Sequence, residues 1–318
     1  MNILLTNDCN RHCSFCFARS IVNQNKPDQD SPHMTHANFY KILDFLDNSG
    51  IKVLRLMGGE PTQHPEFCDF VQEAFDRGFK FSVFSNFMMT KETADFLEQF
   101  PKSRFSFLAN VSHQKSDTEE QLEQVNYALS KLNDKTNVGC TVTGPDFEYQ
   151  YLLDFIKKYN LKKRIRVGIA QPIVKATNEY LLPKMYKETG KAIVKMAQKC
   201  IKDEVLLGFD CGLTHCMFTA AEIGIMSKIT EGFKIHCSPI IDVGVNLEVW
   251  SCFPLSNVYV THLDNFKTRA EIENYYTAKL EKFKTFGCRP ECQKCIYMLR
   301  SICKGGCLAH TIRTFKHL

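Results

Sequence analysis

The regular alternation of short apolar runs with amphipathic helical faces constrains this chain more than anything else in its sequence. Six runs read as buried strands: "MNILLTN", "IKVLRLMGG", "FKFSVFSN", "RFSFLANVS", "NVGCTVTG" and "RIRVGIA". Between the first three, apolar residues recur at helical spacing, with Phe39, Ile42, Leu43 and Leu46 at i, i+3, i+4 and i+7, then Phe67, Phe70, Val71 and Ala74. Further helices are predicted near Lys91 to Gln99, from about Glu119 to Leu132, through Leu152, Phe155, Ile156 and Tyr159, and from about Lys184 to Ile201. Such spacing gathers the apolar side chains on one side of each helix, and strands joined through such helices pair in parallel with right-handed crossovers. The expected fold is therefore α/β, a partial TIM-like (β/α)6 barrel over residues 1–205, open on one side, with its chemistry at the C-terminal ends of the strands.

From about Leu206 the pattern changes to short apolar pieces, turns and cysteines, with no Gly/Ser/Pro-rich linker, internal repeat or low-complexity tract. Residues 206–318 are expected to form a small cysteine-rich unit packed on the barrel. A chain of 318 residues, 44% hydrophobic, can bury a core that serves both parts. The net charge of +5 is small and its Lys and Arg are dispersed, which argues against a nucleic-acid partner. Without an 18-residue apolar run or a basic-then-apolar N-terminus, no membrane association is expected and the cytoplasm is the predicted location.

Cytoplasmic thiols stay reduced, so fifteen cysteines call for metal binding or redox chemistry rather than disulfides. Cys68, Cys140 and Cys200 stand alone in apolar patterns and read as core residues. Cys9, Cys13 and Cys16 directly follow the first strand, at the expected catalytic end, as Cys-x3-Cys-x2-Cys. A structural zinc ion wants four ligands, and His12, next to Cys13, would have to turn back onto the same ion. Three thiolates on a four-iron cluster leave one iron free to bind a substrate or cofactor atom.

This motif, with aromatic Phe15 before its last cysteine, resembles the signature of the radical S-adenosylmethionine (radical SAM) enzymes. "MGGEPTQHPEF", after the second strand, is similar to that family's Gly-Gly-Glu-Pro motif. The resemblance implies that Gly58, Gly59 and Glu60 contact the amino group of the methionine moiety and that Phe15 lies against the adenine. It also points to Ser85 and Asn86 in "FSN", and Asn110 and Ser112 in "LANVS", as polar contacts to the carboxylate and ribose. Read alone, each of those four is equally a solvated loop residue or a helix cap. His64 and His113 read as structural. The implied reaction is one-electron cleavage of S-adenosylmethionine, fed by a donor such as flavodoxin or ferredoxin. The resulting 5'-deoxyadenosyl radical abstracts hydrogen from a substrate carbon that must be held close and away from water and oxygen.

The C-terminal third carries Cys292-x2-Cys295-x7-Cys303-x3-Cys307, preceded by Cys211, Cys216, Cys237, Cys252 and Cys288. Zinc ribbons also use Cys-x2-Cys pairs. On a radical SAM barrel the array resembles the SPASM/twitch-type extension, which implies one or two auxiliary [4Fe-4S] clusters. Three departures from that extension stand out: a seven-residue spacer before Cys303 rather than five, Leu247 before Cys252 where glycine is usual, and no cysteine after Cys307. Cys288 would replace the missing ligand. One arrangement places Cys216, Cys237, Cys252 and Cys307 on one cluster and Cys288, Cys292, Cys295 and Cys303 on the other. Cys211 is then spare, either to coordinate in place of Cys216 or to act catalytically as a thiol hydrogen donor.

The resemblance implies a redox enzyme that oxidises or crosslinks a peptide, with epimerisation or dehydrogenation of a peptide, sugar or other small molecule as the alternative. With the cysteine motif starting at residue nine, no leader-binding domain is expected before the barrel, which weakens the case for a peptide recognised through a long leader and leaves open one supplied with a separate recognition protein. A zinc-stabilised binding module without catalysis is the competing class. Anaerobically purified protein would be brown with iron-sulfur clusters and colourless with zinc.

Overall fold

The structure is a computed structural model that describes residues 1–24, 31–111, 117–230, 237 and 240–315. Seven strands succeed one another in parallel along one sheet: β1 (Asn2–Leu4), β2 (Val53–Met57), β3 (Lys80–Ser85), β4 (Phe105–Ala109), β5 (Thr136–Val142), β6 (Arg164–Ile169) and β7 (Leu206–Phe209). The crossovers carry α1 (His36–Asn48), α2 (Phe67–Asp76), α3 (Lys91–Glu98), α4 (Glu119–Lys131), α5 (Gln150–Tyr159) and α6 (Tyr186–Lys202), and α7 (Ala220–Met226) follows β7. Beyond it lie β8 (Ile241–Val243), β9 (Glu248–Ser251), β10 (Thr261–His262), α8 (Arg269–Leu280), α9 (Ile296–Leu299) and α10 (Leu308–Ile312). The sheet runs β10-β9-β8-β1-β2-β3-β4-β5-β6-β7 and does not close, so the open TIM-like architecture expected from the alternation is present.

Residues 206–318 contribute to both edges of that sheet. β7 pairs with β6 starting at Arg164↔Leu206, and β8 pairs in parallel with β1, while β9 and β10 run antiparallel. These four strands are two to four residues long, too short to display a period of two, which is why the regular pattern stops at Leu206.

Local chemistry sets the helix ends. Thr35 accepts from Asn38 N at the start of α1, Thr118 and Gln121 form a reciprocal capping box on α4, and Asn160 ends α5 at φ 53°. The core fills the space between the sheet and its outer helices. Phe39 stacks on Phe70 at 4.3 Å and Phe81 on Phe105 at 4.3 Å, and burying a ring of that size is worth about 1.5–3 kcal/mol. Cys200 is fully buried, and Cys68 and Cys140 pack against the same core. On α4, Val125 and Leu129 carry the buried face while Leu122 is 44% exposed. Among the described residues no helix is long and apolar enough to cross a membrane.

Candidate active site

Beyond the end of β1, the cysteine loop continues to pair with the turn after β2. Leu5 N donates to Met57 O (2.9 Å), Gly59 N to Thr6 O (2.8 Å) and Glu60 N to Asp8 O (2.8 Å). A Cβ on Gly58 would lie 2.5 Å from Thr6 O, and one on Gly59 only 2.1 Å from Asp8 O. The two glycines are thus required by the close approach of the chain to itself, whatever ligand they also face. The base of the loop is tied by Asn23, whose side chain accepts from Cys9 N (2.9 Å) and donates to Cys9 O (3.0 Å).

Cys9, Cys13 and Cys16 lie near enough to influence one another electrostatically. Burial pushes the Cys9 thiol up to about 12, with Glu60, Cys16 and Cys13 adding to the rise, and burial with Cys13 pushes Cys16 up to about 11. Such a site keeps bare thiols protonated at neutral pH, so holding them as thiolates calls for a positive group in place of the protons, as a metal or cluster supplies. Among the described residues no three His, Cys, Asp or Glu side chains already converge on a single ion. His12 is exposed.

The carboxylate of Glu60 is the hub beside them. It is 1% exposed and accepts from Ser85 Oγ (2.8 Å), Asn86 N (2.7 Å), Thr62 N (3.3 Å) and Thr62 Oγ1 (2.9 Å). Burial raises its pKa and these four bonds oppose the rise. Asn86 turns its side chain to the cysteine loop, donating to Asn10 Oδ1 (2.7 Å) and accepting from Met88 N (2.8 Å). Asn110 is exposed at the end of β4, its Oδ1 occupying space that a Cβ on Gly139 would take. Phe15 is half-buried; Ser112 and His113 lie outside the described residues. His64 is structural: Glu66 N donates to its Nδ1 (3.1 Å), so its Nε2 carries the proton bonded to Met34 O (2.9 Å).

Several supports of this site carry no sequence signal. Leu4, Ala18, Ile21, Val22, Trp250 and Phe253 form a separate apolar cluster against Cys9, Cys16 and Met57, so β9 and the turn after it wall the cysteine loop from the far end of the chain. The tip of the loop is held by Glu179, which donates N–H to Ser14 O (2.9 Å) and accepts from Ser14 Oγ (2.6 Å). Arg11 and Asp117 form an ion pair at 2.7 Å with both side chains 5% exposed. Only the place of Arg11 between Cys9 and Cys13 hinted at a role.

The C-terminal thiols fall into two groups. Cys211, Cys237, Cys252 and Cys307 act on one another electrostatically, and burial raises all four, Cys211 up to about 12. The thiols of Cys216, Cys288, Cys292 and Cys303 form the second set, where Cys288 donates to Cys292 and lowers it to about 6. Cys295 sits on the turn before α9, its N donating to Cys292 O (3.2 Å). Cys211, rather than Cys216, therefore joins Cys237, Cys252 and Cys307. Cys252 itself adopts φ 63°, ψ 151°, and Leu247, where the related extension usually has glycine, takes φ 65°. A leucine in that left-handed region costs about 1–2 kcal/mol, offset here by burial of its side chain to 2% exposure.

Comparison with known proteins agrees with this geometry. The family model described as the Radical SAM superfamily matches residues 3–110. Over 87 residues the chain is 32% identical to an S-adenosylmethionine-dependent nucleotide dehydratase of Selenomonas ruminantium, covering 27% of this chain and 29% of that protein. Over 84 residues it is 36% identical to a tungsten-containing aldehyde ferredoxin oxidoreductase cofactor-modifying protein of Pyrococcus furiosus, 26% and 22% of the two chains. The matches span less than a third of these curated relatives. In fold the whole chain is similar to Streptococcus suis SuiB bound to S-adenosylmethionine (TM-score 0.68, 16% identity, 99% of this chain and 73% of that one). It is similarly close to anSMEcpe with bound AdoMet (TM-score 0.67, 18% identity, 96% and 88%). The part of the chain that matches the Radical SAM superfamily model, residues 3–110, thus holds the cysteine loop, the Gly-Gly-Glu turn and the first four strands.

Proposed function

We propose that the chain is a radical SAM enzyme that oxidises or crosslinks a peptide. The observation that carries the reading is the set of three neighbouring thiols on a loop bonded backbone to backbone with Gly59 and Glu60. Cys9, Cys13 and Cys16 would hold a [4Fe-4S] cluster, which would supply the electron for cleavage of S-adenosylmethionine. Glu60 is placed to accept from the methionine ammonium while Ser85 and Asn86 N hold its carboxylate in position. Gly58, Gly59, Asn110, Ser112 and Phe15 complete the assigned contacts, and Trp250 and Phe253 keep water from the inner side of the loop.

In this reading residues 1–205 are the barrel and residues 206–318 a SPASM/twitch-like unit. Cys211, Cys237, Cys252 and Cys307 would hold one auxiliary cluster, and Cys216, Cys288, Cys292 and Cys303 a second. The backbone of Cys252 supports this, since a non-glycine residue held at such φ and ψ costs of order 1–3 kcal/mol and persists where function demands it. A peptide substrate is favoured because SuiB bound to its precursor peptide SuiA (TM-score 0.58) and anSMEcpe with a bound peptide (TM-score 0.66) share the fold. Epimerisation, with Cys211 as hydrogen donor, is the second reading, but Cys211 facing Cys237 favours a ligand role. A cytoplasmic location, a flavodoxin or ferredoxin donor and a separate peptide-recognition protein belong to the same proposal.

The test is 5'-deoxyadenosine formation by the anaerobically reconstituted full chain. Replacing Cys9, Cys13 and Cys16 together with alanine should abolish it, while replacing Cys292 and Cys295 should leave part of it. Product formed by the triple variant would refute the assignment.

A further inference from the structure

The concave side of the sheet, turned away from the helices, is partly open along β2, β3, β4 and β6, while Asn2 and Asp242 on β1 and β8 are buried. Along β3, β4 and β6 the helix-facing residues are buried while Ser82, Phe84, Ser106, Leu108, Arg164 and Arg166 keep partial exposure. Side chains fill the inside of a closed barrel of this kind; here the sheet stays open. The strand register fixes what lines the cleft. Asp242, Asn2, Arg55 and Ser82 stand side by side across β8, β1, β2 and β3 on the concave face. One step nearer the cysteine loop, Leu4 pairs with Met57.

Within that row Asn2 donates to Asp242 Oδ1 (2.7 Å), but Arg55 has no hydrogen bond or ion pair with any described residue. Its guanidinium is half-buried, and burial, then Arg166 and Arg269, lowers its pKa. Those two neighbours are already balanced, Arg166 Nε by Asp210 Oδ1 (2.5 Å) and Arg269 Nε by Glu273 Oε1 (2.7 Å). Arg166 is flanked in register by Gly139 and Gly208, so no side chain stands beside it on either strand. A partly desolvated cation beside two like charges, with no counter-charge among the described residues, is unfavourable by itself. A guanidinium presents a fixed fork of donors that matches the two oxygens of a carboxylate or phosphate.

We propose that Arg55 anchors an oxyanion of the substrate, a carboxylate or a phosphate, in the cleft between β2 and β6. The inference rests on the reading of this cleft as the substrate chamber of a radical SAM enzyme. A carboxylate would come from an acidic residue of a peptide, a phosphate from a nucleotide.

The experiment titrates the full chain, under anaerobic conditions, with pyrophosphate and separately with a short glutamate-containing peptide and its glutamine counterpart, reading calorimetric binding and thermal melting. One anionic probe should bind and raise the melting temperature of the wild type, and which one identifies the source. Arg55→Met should weaken that binding at least tenfold, remove the melting shift and melt no lower than wild type without anion, because it deletes an uncompensated charge. Arg55→Lys should recover part of the affinity. The proposal is overturned if neither anionic probe binds, if the glutamine peptide binds equally well, if Arg55→Met binds as the wild type does, or if it melts lower without anion, which would make Arg55 a packing residue. Failure of the wild type to form 5'-deoxyadenosine would sink the parent reading, and the anion titration is read without it.

Discussion

Asp242 offers the sharpest quantitative test of the interior. It is 1% exposed on β8, its Oδ1 accepts from Asn2 Nδ2 (2.7 Å), and burial pushes its carboxyl up from 3.8 to about 7. Asn2 Oδ1 beside it is buried without a hydrogen-bond partner. Burial alone causes the rise, and the bond from Asn2, the N-terminal ammonium and the contacts with Trp250 and Phe253 oppose it. Because the folded pKa lies above the unfolded one, the folded state keeps the proton over the window in which the unfolded chain has lost it. Stability is unpenalised below about pH 4, falls as pH rises through the window, and levels off above about pH 7. At 1.36 kcal/mol per unit the penalty is about 1.6 kcal/mol at pH 5 and about 4 kcal/mol at pH 8. Asp242→Asn mimics the neutral acid, donating and accepting at once. Denaturant unfolding of both proteins from pH 5 to pH 8 should show the variant gaining on the wild type by roughly 3 kcal/mol across that range. A stability difference that does not change with pH, or a variant less stable than the wild type at pH 8, would refute the reasoning.

Gly59→Ala should disrupt the cysteine loop, because the added Cβ would sit 2.1 Å from Asp8 O; a loss of about 2 kcal/mol or more in denaturation and of iron retained by the loop is expected, and unchanged values of both would be contrary. With both C-terminal thiol groups loaded, the reconstituted chain should hold roughly twelve irons, and iron near four would exclude the auxiliary sites. Once a substrate is found, turnover in deuterated water should leave the product about two mass units lighter per event; a gain of about one unit would favour epimerisation through Cys211.

The order of strands and helices, the open parallel sheet and the place of Cys9, Cys13 and Cys16 could be read from sequence because they rest on local periodicity and short spacing. Phe39, Ile42, Leu43 and Leu46 lie on one buried face of α1 for the same reason. The role of Gly58 and Gly59 was half legible: a close approach was implied, but not that it is to Thr6 and Asp8 of the same chain. β7 to β10 were hidden, since strands of two to four residues carry no period and form only because neighbours offer edges. Leu247 stands where a glycine was expected, and only the tertiary structure displays the left-handed backbone that the position imposes.

The sequence by itself determined which residue types are available to the chemistry and at which strand ends they emerge, because those properties follow from neighbours within a few residues. Tertiary structure alone decided that Cys211 lies within electrostatic reach of Cys237 and Cys252, that Trp250 and Phe253 wall a loop more than two hundred residues earlier, and that Arg55 lies near Arg166 with no ion-pair partner of its own among the described residues. These pairings arise from how one edge of the sheet is capped by the end of the chain and how its concave face is left open, and no local pattern encodes contacts made across such separations.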